Sequence, residues 1–153
     1  MALSAKERQE YILKLDKVVR RWRYKSDLFC GGCCFSAAVI ASLLEKKGIG
    51  YKVICWESNW QTDNTDVKSL KDIIMNYACG HIAIQVILNK KNYIIGGDFY
   101  HERITKVRTY SKIKSRELSE YDSLGENKGV WNHFYNRSLN NRFINVLNKA
   151  VSK

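Results

Sequence analysis

Three cysteines and two glycines, Cys30-Gly31-Gly32-Cys33-Cys34, stand immediately before a long apolar run in FCGGCCFSAAVIASLLEKKGIGYKVICW. Further along come Cys79, His81 and Asp98. A thiol attacks as thiolate, and an ordinary cysteine with a pKa of ~8.5 supplies little of that form at neutral pH. A helix N-terminus lowers that pKa through its unpaired N–H groups and macrodipole. If the apolar run is a helix, Cys33 opens it, and Gly31-Gly32 let the backbone turn sharply and keep the sulfur accessible. The thiol then needs an imidazole as ion-pair partner and a third group to hold that imidazole. His81 and Asp98 have the required chemistry. Two other uses compete. Cys30-x-x-Cys33 with Cys79-x-His81 offers four zinc ligands in two pairs, and Cys34 is an adjacent alternative nucleophile. A disulfide framework is disfavoured by an odd count of five cysteines without a secretory signal.

These residues need elements to position them. Ser4 and Glu7 form a capping box, which predicts a helix from Ala5. Ile12, Leu15, Val18, Val19 and Trp22 continue it as one apolar stripe. The second helix runs from about Cys33 to Lys47 and is closed by Gly48. So apolar a helix must be central. GYKVICW reads as a strand that buries Cys55, ESNWQTDNTD as a polar loop, and Leu70, Ile73, Ile74 and Tyr77 as a short third helix. HIAIQVIL and NYIIGGDFY read as strands joined by Asn89-Lys90-Lys91-Asn92, with Leu88 opposite Tyr93. In that register His81 and Asp98 share a face as diagonal neighbours, about 7–8 Å apart. A slip of one residue would separate them. RITKVRTY is a further strand, and Leu139, Phe143, Leu147 and Ala150 share one face of a last helix. Helices, then an antiparallel sheet, then a helix make an α+β layout in one domain over residues 1–153.

CGGCCFSAAV resembles the papain-type C-G-[SA]-C-[WY] signature, with Cys33 at the nucleophile position. The segment is still more similar to the transglutaminase core: Gly31-Gly32-Cys33, Ala37, Leu43-Leu44, Gly48-Ile49 and then a strand. GHIAIQV resembles that family's histidine strand and YIIGGDF its aspartate strand. The resemblance spans roughly residues 29–100. It implies a papain-like, transglutaminase-like fold and a cysteine peptidase, amidase or acyltransferase with a Cys33-His81-Asp98 triad. Its substrate would be a polypeptide or a peptidoglycan-type peptide, with no cofactor. The backbone N–H of Cys33 or Cys34 supplies one oxyanion donor. Trp22, Asn59 and Gln61 are candidates for the second.

The 153 residues allow one domain with a real core, and 45 % hydrophobic content argues against disorder. No run reaches the ~18 apolar residues of a membrane span. Charges interrupt the N-terminal stretch where a signal peptide needs its apolar core. A cytoplasmic protein, or one packaged from the cytoplasm into a virion, is expected. Net charge is +11, concentrated in KLDKVVRRWRYK and RITKVRTYSKIKSR. Such clusters suit acidic polymers or serve as a solubilising face, and no base-reading motif accompanies them. Two functions outside catalysis stay open: an interaction or structural module that keeps the fold, as in a phage or bacterial component, and a zinc-stabilised nucleic-acid binder. His101 and His133 lack the start-of-strand setting of His81. Trp56 and Trp60 border the polar loop, either as core or as walls of a groove.

Overall fold

The computed structural model describes residues 2–25, 33–58, 79–97, 104–122 and 136–152. Two helices, α1 (Ala5–Lys25) and α2 (Cys33–Lys46), precede four strands: β1 (Lys52–Ser58), β2 (Cys79–Leu88), β3 (Lys91–Ile94) and β4 (Ile104–Tyr110). Two more helices follow, α3 (Ser115–Asp122) and α4 (Asn136–Val151). The sheet is antiparallel throughout, in the order β3-β2-β1-β4. This is the α+β arrangement expected.

Local chemistry sets both ends of the first two helices. The Ser4 N–H donates to Glu7 Oε2 at 2.8 Å and the Glu7 N–H donates to Ser4 Oγ at 3.2 Å. The capping box is therefore reciprocal, and the carboxyl of Glu7 is held below its ordinary range by these bonds with Ser4. At the far end of α2, Gly48 adopts φ +64°. Its N–H reaches the Glu45 carbonyl, and the Ile49 N–H reaches that of Leu44. These are the two bonds of a Schellman motif.

One face of the sheet carries Val53, Cys55, Ile82, Ile84, Val86 and Leu88 into the main core with Ile12, Leu15 and Val19 of α1 and Ala37, Ile40, Ala41 and Leu44 of α2. Cys55 is fully buried there, as its apolar setting requires. Phe143 and Leu147 of α4 are 0 % exposed, and Trp22 meets Phe143 edge-on at 5.8 Å between ring centroids. Ile54, Trp56 and Ala83 form a second cluster on the opposite face, with Ile94 packed against it.

The β2–β3 hairpin corrects the expected register. Leu88 lies opposite Lys91, not Tyr93, and Tyr93 lies opposite Val86. The turn is Asn89-Lys90 alone, with φ of 50° and 63°. Positive φ at both positions is the type I′ form, whose twist matches that of the flanking strands; Asn tolerates it, so the loop closes two residues earlier than expected. β3 is also shorter than the NYIIGGDFY segment expected, because Ile95-Gly96 turn away after Ile94. The third helix expected at Leu70–Tyr77 lies outside the described residues.

Helix α3 was not expected, and a distant residue explains it. Glu45 Oε1 accepts the Ser115 N–H at 3.0 Å, and Oε2 accepts the Ser115 hydroxyl at 2.6 Å. The carboxylate thus covers an orphan donor at the N-terminus of α3, where negative charge is favourable. Tyr51 donates its hydroxyl to the same carboxylate at 2.5 Å. Burial pushes the Glu45 carboxyl up, but the bonds from Ser115 and Tyr51 and the charge of Lys114 outweigh it and hold it low. A depressed carboxyl stabilises the fold above its ordinary pKa, and that contribution fades as pH falls through the folded-state value. Thermal melts of Glu45→Gln should therefore differ from wild type most near neutral pH and converge in acid. A constant difference at every pH would reject this linkage.

Candidate active site

Cys33 is the first residue of α2, as expected, and is half-buried as a thiol against the main core. No acidic side chain occupies the first turn of α2. A thiolate there meets no carboxylate of its own first turn at the helix N-terminus.

Topology brings β2 to the same end of the molecule. The connection from α2 to β1 is short, so β1 runs back along the direction of α2. β2 pairs antiparallel with β1 and also packs against α2. The end of β1 at Trp56–Ser58, the start of β2 at Cys79–His81 and the start of α2 at Cys33 consequently lie at one end. His81 is paired with Trp56. Beyond that pair the register shifts on both sides of β1: Glu57 pairs with Cys79, which leaves out Gly80, and Ser58 pairs with Ile104, which leaves out Thr105. Two bulges side by side bend the sheet at the end where β2 begins with Cys79–His81.

Alternation along β2 adds a feature that the sequence did not reveal. Ile82, Ile84 and Val86 belong to the core on the α2 side, whereas Ala83 belongs to the opposite cluster. Position 81 falls in the series of Ala83, cross-strand from Trp56. Trp56 is 9 % exposed and packs with Ile54 and Ala83. It belongs to the sheet core, although it borders the loop at this end.

Asp98 lies outside the described residues, as do Cys30, Gly31, Gly32, Asn59, Trp60, Gln61, His101 and His133. Trp22 is described. Its ring is engaged by Phe143 and by the Arg142 guanidinium 5.9 Å above it. Among the described residues no group of three or more His, Cys, Asp or Glu side chains is placed to hold a metal ion. No described helix is long and apolar enough to cross a membrane.

The segment that leads to residue 98 is held by a residue that the sequence reading passed over. Asp16, on α1, is 7 % exposed. Its Oδ1 accepts the Gly96 N–H at 2.8 Å, and its Oδ2 accepts the Tyr93 hydroxyl at 2.7 Å and Arg20 Nε at 2.9 Å. Arg20 also donates to the Tyr93 hydroxyl at 3.1 Å. The guanidinium is held still more firmly protonated by its bonds to Tyr93 and Asp16, and burial, then the bond to Asp16, raises the Tyr93 phenol. The turn packs so closely on α1 that a Cβ at Gly96 would lie 2.7 Å from Val19 Cγ1, and one at Gly97 would lie 2.8 Å from an Arg20 terminal nitrogen. Both glycines have positive φ, 85° and 81°. Only glycine combines that backbone with that clearance. The signal in the sequence was an acid within the apolar stripe of α1, four residues before an arginine and beside the Gly-Gly pair only in space.

Asp16→Ala strands the Gly96 N–H and the Tyr93 hydroxyl and should cost about 3 kcal/mol in urea unfolding. Asp16→Asn and Tyr93→Phe should each cost less. A loss below about 1 kcal/mol for Asp16→Ala would show that the network is not a structural tie.

Compared with known protein families, characterised proteins and solved structures, the chain matches no family model, no characterised protein and no solved structure.

Proposed function

We propose that this protein is a thiol-dependent acyl-transfer enzyme of papain-like, transglutaminase-like type, with Cys33 as nucleophile, His81 as acid and base, and Asp98 as the group that orients His81. The observation that carries this reading is the position of Cys33 as the first residue of α2, with the His81 end of β2 at the same end of the molecule. The Cys33 thiolate attacks an amide carbonyl carbon. The C–N bond then breaks, the leaving amine takes a proton from the His81 imidazolium, and a thioester remains. Water or an amine attacks that thioester, His81 takes its proton, and Cys33 leaves as thiolate. Backbone N–H groups at the start of α2 supply negative-charge stabilisation for the tetrahedral oxyanion. The substrate class is a peptide or isopeptide bond in a polypeptide or a peptidoglycan-type peptide. A reducing compartment such as the cytoplasm suits a working thiol.

A second reading has its own observation. Position 81 falls in the series of Ala83, on the face away from α2. That placement favours a non-catalytic module that keeps the fold for interaction.

Alkylation by substoichiometric iodoacetamide separates the two. For the enzyme, Cys33 is modified first at about pH 6.5, at least about tenfold faster than an ordinary thiol, and His81→Ala removes that advantage. For the module, the thiols react slowly and alike, and His81→Ala changes nothing.

A further inference from the structure

A cavity of about 500 Å³ opens at the other end of α2 from Cys33. With 14 residues in α2, the two ends are about 20 Å apart. The cavity lies between the first half of α1, the segment that joins α2 to β1, and the β2–β3 hairpin. Ile12, Ile49 and Tyr51 give it an apolar lining. Among the described residues its charged lining is cationic: Arg8 from α1, Lys52 from β1 and Lys90 from the hairpin turn.

Three features of the cavity suit an anion with an apolar body. First, the volume falls within the range of small-ligand sites, about 300–1,000 Å³. Second, the three cations come from three separate elements, and no carboxylate is among the described lining residues. Arg8 spends only Nε, on the Leu3 carbonyl at 3.2 Å, which leaves its terminal amino groups as donors. Of the acids beside the lining residues, Glu45 is bonded to Ser115 and to the Tyr51 hydroxyl, and Glu7 to the Ser4 N–H. Of the C-terminal carbonyls of α2, those of Glu45 and Leu44 are taken up by the Gly48 and Ile49 N–H groups. Third, Gln85 lines the cavity at 9 % exposure. With Gln9, Asn89 and Ser111 it adds neutral polar residues to the apolar and cationic ones of the lining.

We infer that this cavity binds a small organic anion, its apolar body on Ile12, Ile49 and Tyr51 and its negative group among Arg8, Lys52 and Lys90. The site is separate from Cys33 and does not depend on the catalytic reading.

Gly50 provides the means to test it. A Cβ added there meets no atom within 4 Å, and its φ lies outside the positive range. Gly50 is part of the lining, so Gly50→Phe places a ring at the cavity wall without backbone strain. The probe is anilinonaphthalene sulfonate, followed by fluorescence on the folded full chain. Its partner probe, phenylnaphthylamine, has the same rings and no charge. The sulfonate should bind saturably at one site and at least tenfold tighter than the neutral amine. Gly50→Phe should abolish that binding, and Lys52→Glu with Lys90→Glu should weaken it at least tenfold, with urea midpoints near wild type. Should Gly50→Phe fail to fold, the charge-reversed variant alone decides, since both lysines are exposed. Displacement by decanoate points to a free amphipathic acid, and displacement by a peptide with a free C-terminal carboxylate points to a chain end; either supports the site. Equal binding of the two probes, or sulfonate binding indifferent to the lysine reversals, overturns it.

Discussion

A single buried carboxylate ties the helical layer to the sheet. Asp16 accepts hydrogen bonds from its own helix, from the Tyr93 hydroxyl 77 positions away and from the Gly96 N–H 80 positions away. A carboxylate so little exposed must be paired and hydrogen-bonded, because its desolvation is otherwise prohibitive. Here each bond also does geometric work. Tyr93 fixes β3 as the strand beside α1, and Gly96 fixes where β3 stops. The two glycines permit the approach, since their missing side chains leave room for Val19 and Arg20. An apolar residue at position 16 would bury surface equally well but could not specify where the turn ends.

The rest of the fold follows from how α2 is held. Its C-terminal Schellman bonds turn the chain into β1, and Glu45, the last residue but one of α2, reaches across to start α3. α2 is thereby fixed at its C-terminal end, and Cys33 stands at its other end. Reactive groups at a helix start and beside strand bulges are a natural outcome, because both places leave backbone donors unpaired by regular structure. The anion cavity sits at the opposite end, so the two proposed sites share α2 as a common strut.

Much of this was legible from local chemistry. The Ser4/Glu7 capping box, the Gly48 stop, the all-round apolar α2 and the buried Cys55 each follow from residues within a few positions of one another, and the structure holds all of them. What escaped the sequence reading depends on partners far apart. The hairpin closed at Asn89-Lys90 because tertiary pairing of Val86 with Tyr93 selected a turn whose second residue is not glycine. Helix α3 contributes one fully buried leucine, Leu118, too little for a periodic signal, and draws its capping anion from Glu45. Asp16 was passed over, because its partners Tyr93 and Gly96 lie 77 and 80 positions away. The strand of His81 was readable, but the face that α2 covers was not, since strand alternation alone does not say which side a helix takes.

The central claim is that Cys33 is an activated thiol at the start of α2. Ultraviolet absorbance of the thiolate, recorded against pH as the difference between wild type and Cys33→Ser, tests it without any substrate. The account predicts that Cys33 remains a thiolate down to about pH 6.5 or below, as expected of a cysteine under a helix dipole with an imidazolium partner. Ionisation of Cys33 near the ordinary ~8.5 of a free thiol would contradict it.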